Sequence, residues 1–171
     1  MGGYIPTYDF ETELTLDFIG DYLTNPFTGP LHHWLRNEKG WTYGLNGSVE
    51  VQHDQIKWIL EFPLNDAEAI QEIRRELPGR IHTALTDTEA ITLEKQRQIN
   101  GGVFNWQTAK SRINSAADCL QDMGRIPPEA EFKQLLETMD RPGKLSSLFD
   151  QYLHDDARGE FLALPQEATS N

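Results

Sequence analysis

Apolar and polar positions divide this chain into stretches of two periods. From Asp9 to Leu23, the residues Phe10, Leu14, Phe18 and Tyr22 recur at four-residue steps, and Ile19 and Leu23 widen the stripe. That spacing predicts a helix with one buried face. Thr7 or Asp9 can cap its first free N–H groups, and Asn25-Pro26 ends it. A shorter helix follows, with Thr28 as N-cap, Pro30 in the first turn, and Leu31, Trp34 and Leu35 on the buried side. Gly40 is placed to close it in a left-handed conformation. From Trp41 the period drops to two. Trp41, Tyr43, Leu45, Val49 and Val51 fall on one side, and Thr42, Gly44, Asn46, Ser48 and Glu50 on the other. His53-Asp54-Gln55 reads as a polar turn. Ile56, Trp58, Leu60 and Phe62 then alternate up to Pro63, which predicts an antiparallel hairpin over Trp41–Phe62.

The remainder is mostly helical. Asn65-Asp66-Ala67-Glu68 fits a capping box. Ile70, Ile73, Leu77, Ile81 and Leu85 continue a helix through Pro78, where a kink is expected. Thr86-Asp87-Thr88-Glu89 is a second capping box, followed by a polar run, residues 93–98, that reads as solvated and breaks or bends at Gly101-Gly102. Ile113, Ala116, Ala117, Leu120 and Met123 form another helical stripe, closed by Gly124. Pro127-Pro128 opens a helix with Phe132, Leu135, Leu136 and Met139 inward, and Arg141-Pro142-Gly143 is a turn. Leu145, Leu148, Phe149, Tyr152 and Leu153 mark the last helix. Glu160–Leu164 is a short apolar strand and Gln166–Asn171 a loose tail. Gly3-Tyr4-Ile5, ending at Pro6, reads as the stub of a strand. The predicted class is α+β, with helices layered on a mixed, mainly antiparallel sheet. Three clear strands leave open edges, so residues 1–165 read as an incomplete domain that lacks its first strand or strands.

Composition narrows the function. The 171 residues, 38% hydrophobic, suffice for one domain with a sizeable core. A net charge of −12 and a pI near 4.7 argue against a nucleic-acid binder and against docking on an anionic membrane. No run approaches the ~18 apolar residues of a membrane span, so membrane insertion is not expected. One cysteine, Cys119, excludes an intrachain disulfide and a cysteine-based zinc site. No signal peptide is visible, which leaves the compartment open.

Few residues carry chemistry. The histidines are His32, His33, His53, His82 and His154, without an HExxH or HxxEH motif. His32 and His33 are neighbours on a helix, about 100° apart, and cannot converge on one metal. They read as surface or partly buried helix residues. Cys119 has Asp118 beside it in sequence, where a reactive thiol favours cations, and reads as a small core or boundary residue. No GxSxG or phosphate-binding loop occurs. Gly44-Leu45-Asn46-Gly47-Ser48 is instead a strand segment suited to close approach of another backbone. Arg36 and Tyr43 remain. A guanidinium and a phenol are both donors, and the Gly40 break can bring them to one sheet edge, where they could hold a peptide carbonyl or the oxyanion derived from it. On residues alone, Arg36 also reads as a helix C-terminal cation favoured by the dipole, and Tyr43 as one strand aromatic.

The segment LRNEKGWTYGLNGSVEV, preceded by an amphipathic helix and LTNPFTGPLHHW, resembles the pitrilysin/insulinase-type zinc metallopeptidases. In that family a helix ending in an LRE-x-x-G-x-x-Y-like motif leads into a strand of the C-terminal half. The matching residues are Leu35-Arg36, Lys39-Gly40 and Tyr43, with Asn37 in place of the usual acidic residue. The resemblance extends from about Thr7 to Leu164. It implies an inactive C-terminal-type domain, part of a zinc metalloendopeptidase but not active alone. It also implies that zinc and the general base come from a homologous HxxEH-bearing domain, in the same or a separate chain. Arg36 and Tyr43 would then contact the peptide substrate near the scissile carbonyl and line the chamber. Bacterial members of the family lean to the periplasm, with the cytoplasm open. The competing readings are a structural or interaction scaffold that has lost proteolysis, and an unrelated acidic α+β binding domain.

Overall fold

A computed structural model describes residues 1–52, 55–105, 113, 116–117, 119–121, 124–152 and 158–160. Its sheet has the strand order β2-β3-β1-β4, and every pair is antiparallel. Strand β1 (Gly2–Ile5) pairs with β3 (Gln55–Glu61) from Gly2↔Ile59 to Ile5↔Ile56, and with β4 (Arg158–Gly159) on its other side. The stretch expected only as a strand stub is thus a central strand. The main chain of Met1 extends the pairing, accepting from Leu60 N at 2.7 Å. Strand β2 (Asn46–Gln52) pairs with β3 from Asn46↔Glu61 to Gln52↔Gln55, which is the predicted hairpin. Its turn, His53-Asp54, lies outside the described residues, as do Phe161–Leu164 of the predicted last strand and the tail.

In β3 the alternation holds, with Ile56, Trp58 and Leu60 fully buried. In the first half of the hairpin it fails. The strand begins at Asn46, not Trp41. The N–H of Trp41 goes back to Leu35 O at 2.9 Å and its carbonyl accepts from Asn65 N at 2.8 Å, so neither joins the ladder. The Thr42 hydroxyl donates to Gly44 O at 2.8 Å and meets Gly44 N at 3.3 Å, a local turn that replaces strand pairing. Thr42 is therefore buried and Tyr43 is 76% exposed.

Helix α1 (Phe10–Thr24) is capped by Asp9, whose carboxylate accepts from Thr12 N at 2.8 Å. It buries Leu14, Phe18, Ile19, Tyr22 and Leu23 as its spacing predicts, and packs on β2. Asn25 ends it and accepts from Phe27 N and Thr28 N. Because the Thr28 amide is held there, Gly29 and not Thr28 occupies the next N-cap. A Cβ at Gly29 would lie 2.5 Å from Asn25 N and O.

Helix α2 (Pro30–His32) widens into a π-helical turn over His33–Glu38. Helix α3 (Ala69–Thr86) starts later than the Asn65 box predicts, because the Asn65 amide is engaged with Trp41 and Asp66 accepts from Glu68 N at 2.8 Å. Asp87 caps α4 (Thr88–Asn105), accepting from Ala90 N at 3.0 Å. That helix continues through Gly101-Gly102 without a break. Its polar run is not wholly solvated either. Glu94 is 4% exposed and takes a bidentate contact from Arg97, while Leu93 is 67% exposed. Pairing is what lets a carboxylate be buried here.

The stripe at 113–123 is also corrected. Ile113 is 67% and Leu120 52% exposed, while Met123 lies outside the described residues. A periodic stripe defines a helix face but does not ensure that this chain covers it. Helix α5 (Glu129–Glu137) packs on α4, and α6 (Lys144–Tyr152) on α3. Leu136, Met139, Leu145 and Phe149 are buried, and Gly124 and Gly143 take positive φ as their turn positions require. Leu153 lies outside the described residues.

Candidate functional site

The junction between α2 and β2 is built from a widened helical turn and a glycine. Within it, Lys39 N bonds Trp34 O, five residues back, at 3.1 Å. The same five-residue spacing lets His33 Nδ1 reach Glu38 Oε1 at 3.0 Å. Such π turns occur mostly as single insertions in α-helices, frequently at functional sites. Gly40, at φ +66°, then reverses the chain, and its N–H bonds Arg36 O at 3.2 Å.

Aromatic and charged side chains clamp this turn onto α3. Trp34 is fully buried and meets Trp41 edge-on, with ring centroids 6.0 Å apart. Lys39 Nζ lies 4.8 Å from the Trp41 ring and 2.7 Å from Glu72 Oε1 of α3. The guanidinium of Arg80, also on α3, lies 4.6 Å from the Trp34 ring. Asn65 adds a bond from Nδ2 to Gly40 O at 3.4 Å. The backbone between Arg36 and Tyr43 is therefore held at several points.

Arg36 and Tyr43 both stand at the surface of this clamp, on either side of Gly40. The structure gives no direct contact between them. Arg36 instead meets His32, with Nη1 3.3 Å from His32 Nε2. His32 is 4% exposed, and burial followed by the Arg36 charge lowers its pKa. A neutral imidazole is thus favoured, which is what an acceptor to a guanidinium must be. Tyr43 is set by its neighbours, because the Thr42–Gly44 turn buries the threonine and presents the phenol. Neither His32 nor Thr42 stands out from sequence as part of this site. The four-residue His32–Arg36 spacing was the available signal for the first.

Among the described residues no three His, Cys, Asp or Glu side chains come together that could hold a metal. His33 and His82 are exposed, while His53 and His154 lie outside the described residues. The described residues do not fit a zinc site. Cys119 is half-buried on a helical segment. Among the described residues no helix is long and apolar enough to cross a membrane.

Comparison with known families decides the lineage of this junction. The family model described as the peptidase M16 inactive domain matches residues 3–96, more than half of the chain and the whole of the α1–β2–β3–α3 unit. The chain belongs to this family. The pitrilysin-like resemblance carried by Leu35, Arg36, Gly40 and Tyr43 is therefore correct at the level of family.

Solved structures agree on the fold of this M16 inactive domain. A protease from Helicobacter pylori is similar over 91% of this chain and 38% of its own, at 17% identity and a TM-score of 0.72. The periplasmic protease PqqL from Escherichia coli is similar over 89% of this chain and 17% of its own, at 16% identity and a TM-score of 0.66. The inactive peptidase domain of a candidate zinc protease from Bordetella parapertussis is similar over 99% of this chain and 92% of its own, at 16% identity and a TM-score of 0.59. The chain thus spans less than half of the first two proteases and most of the third structure, which is an inactive domain alone. No curated protein sequence matches it.

Proposed function

We propose that residues 1–165 act as the substrate-contacting, non-catalytic half of a zinc metallopeptidase. The M16 inactive-domain match over residues 3–96 carries this reading. A homologous HxxEH-bearing domain, in the same or a separate chain, would hold the zinc and the general base. This half would wall the peptide chamber and add Arg36 and Tyr43.

The geometry of the junction is compatible with that role. Both side chains are exposed donors on a backbone fixed by Gly40, Asn65 and the Trp34–Trp41–Lys39–Glu72 clamp. Rigidly held donors stabilise a developing oxyanion best because they need not reorganise as charge appears. The guanidinium would supply charge and paired N–H groups, and the phenol one O–H. Neither attacks the peptide or moves a proton on its own.

The test is kinetic. The chain is combined with its HxxEH-bearing partner, and Arg36→Ala and Tyr43→Phe are compared with the wild type on a peptide substrate. Each substitution is expected to lower kcat by roughly 10²-fold or more, the effect of one lost preorganised donor. Zinc content of the partner should stay the same. Unchanged turnover in both variants would reject the substrate-contacting role and leave a structural scaffold.

A further inference from the structure

Arg36 is exposed, and a free arginine at a surface samples many rotamers. Yet it does not stand alone, because one guanidinium nitrogen lies 3.3 Å from the ring of a residue that is almost completely buried. We propose that His32 is the positioning residue for Arg36, its unprotonated Nε2 accepting from Nη1 and leaving the other guanidinium donors at the surface for a peptide carbonyl. The contact itself stands on geometry; its bearing on turnover rests on the reading of Arg36 given above.

The chemistry leaves one arrangement. A guanidinium has N–H donors and no acceptor, so the nitrogen facing it must carry the lone pair. The ring proton then sits on Nδ1. A buried ring cannot swing away to water, so the acceptor is fixed in place by the packing that fixes the helix. The adjacent His33 cannot substitute, since it is exposed and points to Glu38. A purely space-filling histidine would require none of this, and leucine would replace it without effect on Arg36.

Two measurements on the 171-residue chain separate these cases. The first is nitrogen-15 NMR of the His32 ring at neutral pH. Nε2 should read as unprotonated, and the surface substitution Arg36→Ala should shift its resonance. The second follows the Arg36 Nε–H signal. It should report an ordered side chain in the wild type and in His32→Gln, whose amide oxygen can accept, and a mobile one in His32→Leu. An Nε2 that is protonated, or that ignores Arg36→Ala, overturns the proposal even if His32→Leu fails to fold. So does an Arg36 signal equally ordered in His32→Leu.

In the assembled peptidase, His32→Leu should lower kcat by about tenfold or more with KM nearly unchanged, and His32→Gln should restore it. If Arg36→Ala is silent in turnover while the NMR results hold, the functional reading fails and the positioning contact stands. If Arg36→Ala abolishes turnover and His32→Leu leaves turnover and Arg36 order intact, the positioning contact fails and the functional reading stands.

Discussion

Gly20 of α1 and Gly47 of β2 meet backbone to backbone. A Cβ at Gly47 would lie 2.6 Å from Gly20 Cα and 3.0 Å from its carbonyl, while one at Gly20 would lie 3.1 Å from Gly47 C. This contact sets how closely α1 sits on the sheet edge and so fixes the start of β2, just beyond Tyr43. The two glycines are not equivalent. A methyl at Gly47 must push the helix away, and overpacking of that kind costs about 1–3 kcal/mol. A methyl at Gly20 meets a less severe approach, and alanine in a helix interior regains roughly 0.5–1 kcal/mol over glycine. Urea unfolding should therefore rank Gly47→Ala as clearly destabilising and Gly20→Ala as mild. The reverse order would mean that the helix and strand are spaced otherwise.

Thr42 holds Tyr43 outward through its hydroxyl contacts with Gly44. Thr42→Val keeps the shape but removes both bonds from a buried site. An unsatisfied buried partner costs about 1–3 kcal/mol, and Gly44 should lose protection of its amide. Hydrogen exchange at Gly44 should accelerate in Thr42→Val and remain near wild type in Thr42→Ser. Equal exchange in both would show that the turn does not depend on the hydroxyl.

What could be read from sequence follows from what local patterns encode. The stripe of α1, its Asp9 cap, the β3 alternation and the left-handed Gly40 are all set within a few residues, and each appears where expected. The small residues around Gly47 pointed to a close backbone approach, but not to Gly20 as its partner. The failures are tertiary. The period of two places Trp41 in a strand because its side chain fits it. Its backbone groups, however, are taken by Leu35 and Asn65, and no period reports on that. Arg36 and Tyr43 stand out in the sequence through their motif, as candidates for the site proposed above. His32 reads from sequence as a surface or partly buried helix histidine that cannot share a metal with His33, and nothing in that reading points to its partner four residues ahead.

Gly40 carries the reversal between the π turn and Trp41. Nothing lies within 4 Å of a Cβ built there, so the cost of a side chain is in the backbone alone. A non-glycine residue at φ +66° is strained by roughly 1–2 kcal/mol, and asparagine tolerates the region better than alanine. Gly40→Ala should therefore lower stability by about that amount and Gly40→Asn by less. Equal stabilities by urea titration would contradict the left-handed turn.

The His32 ring gives the stability of the chain a pH dependence with a defined sign. Burial and the Arg36 charge hold its folded pKa below the ordinary 6.5. Between those two values the unfolded chain binds a proton that the folded chain does not, so stability rises with pH. This contribution is complete above the unfolded value and is lost as pH falls from there through the lower, folded value. Asp17 acts in the opposite sense. Desolvation and the Asp21 charge raise its carboxyl from 3.8 to about 6, although the residue keeps a solvent-exposed side, so its contribution falls as pH rises through that window. Because both groups change stability with pH in opposite senses, the wild-type curve alone is ambiguous. The difference between wild type and His32→Gln isolates the histidine. Denaturant titrations at stepped pH should show the wild type losing ground to His32→Gln as pH drops below about 6.5. Parallel curves would mean that the ring titrates alike in the folded and unfolded chain.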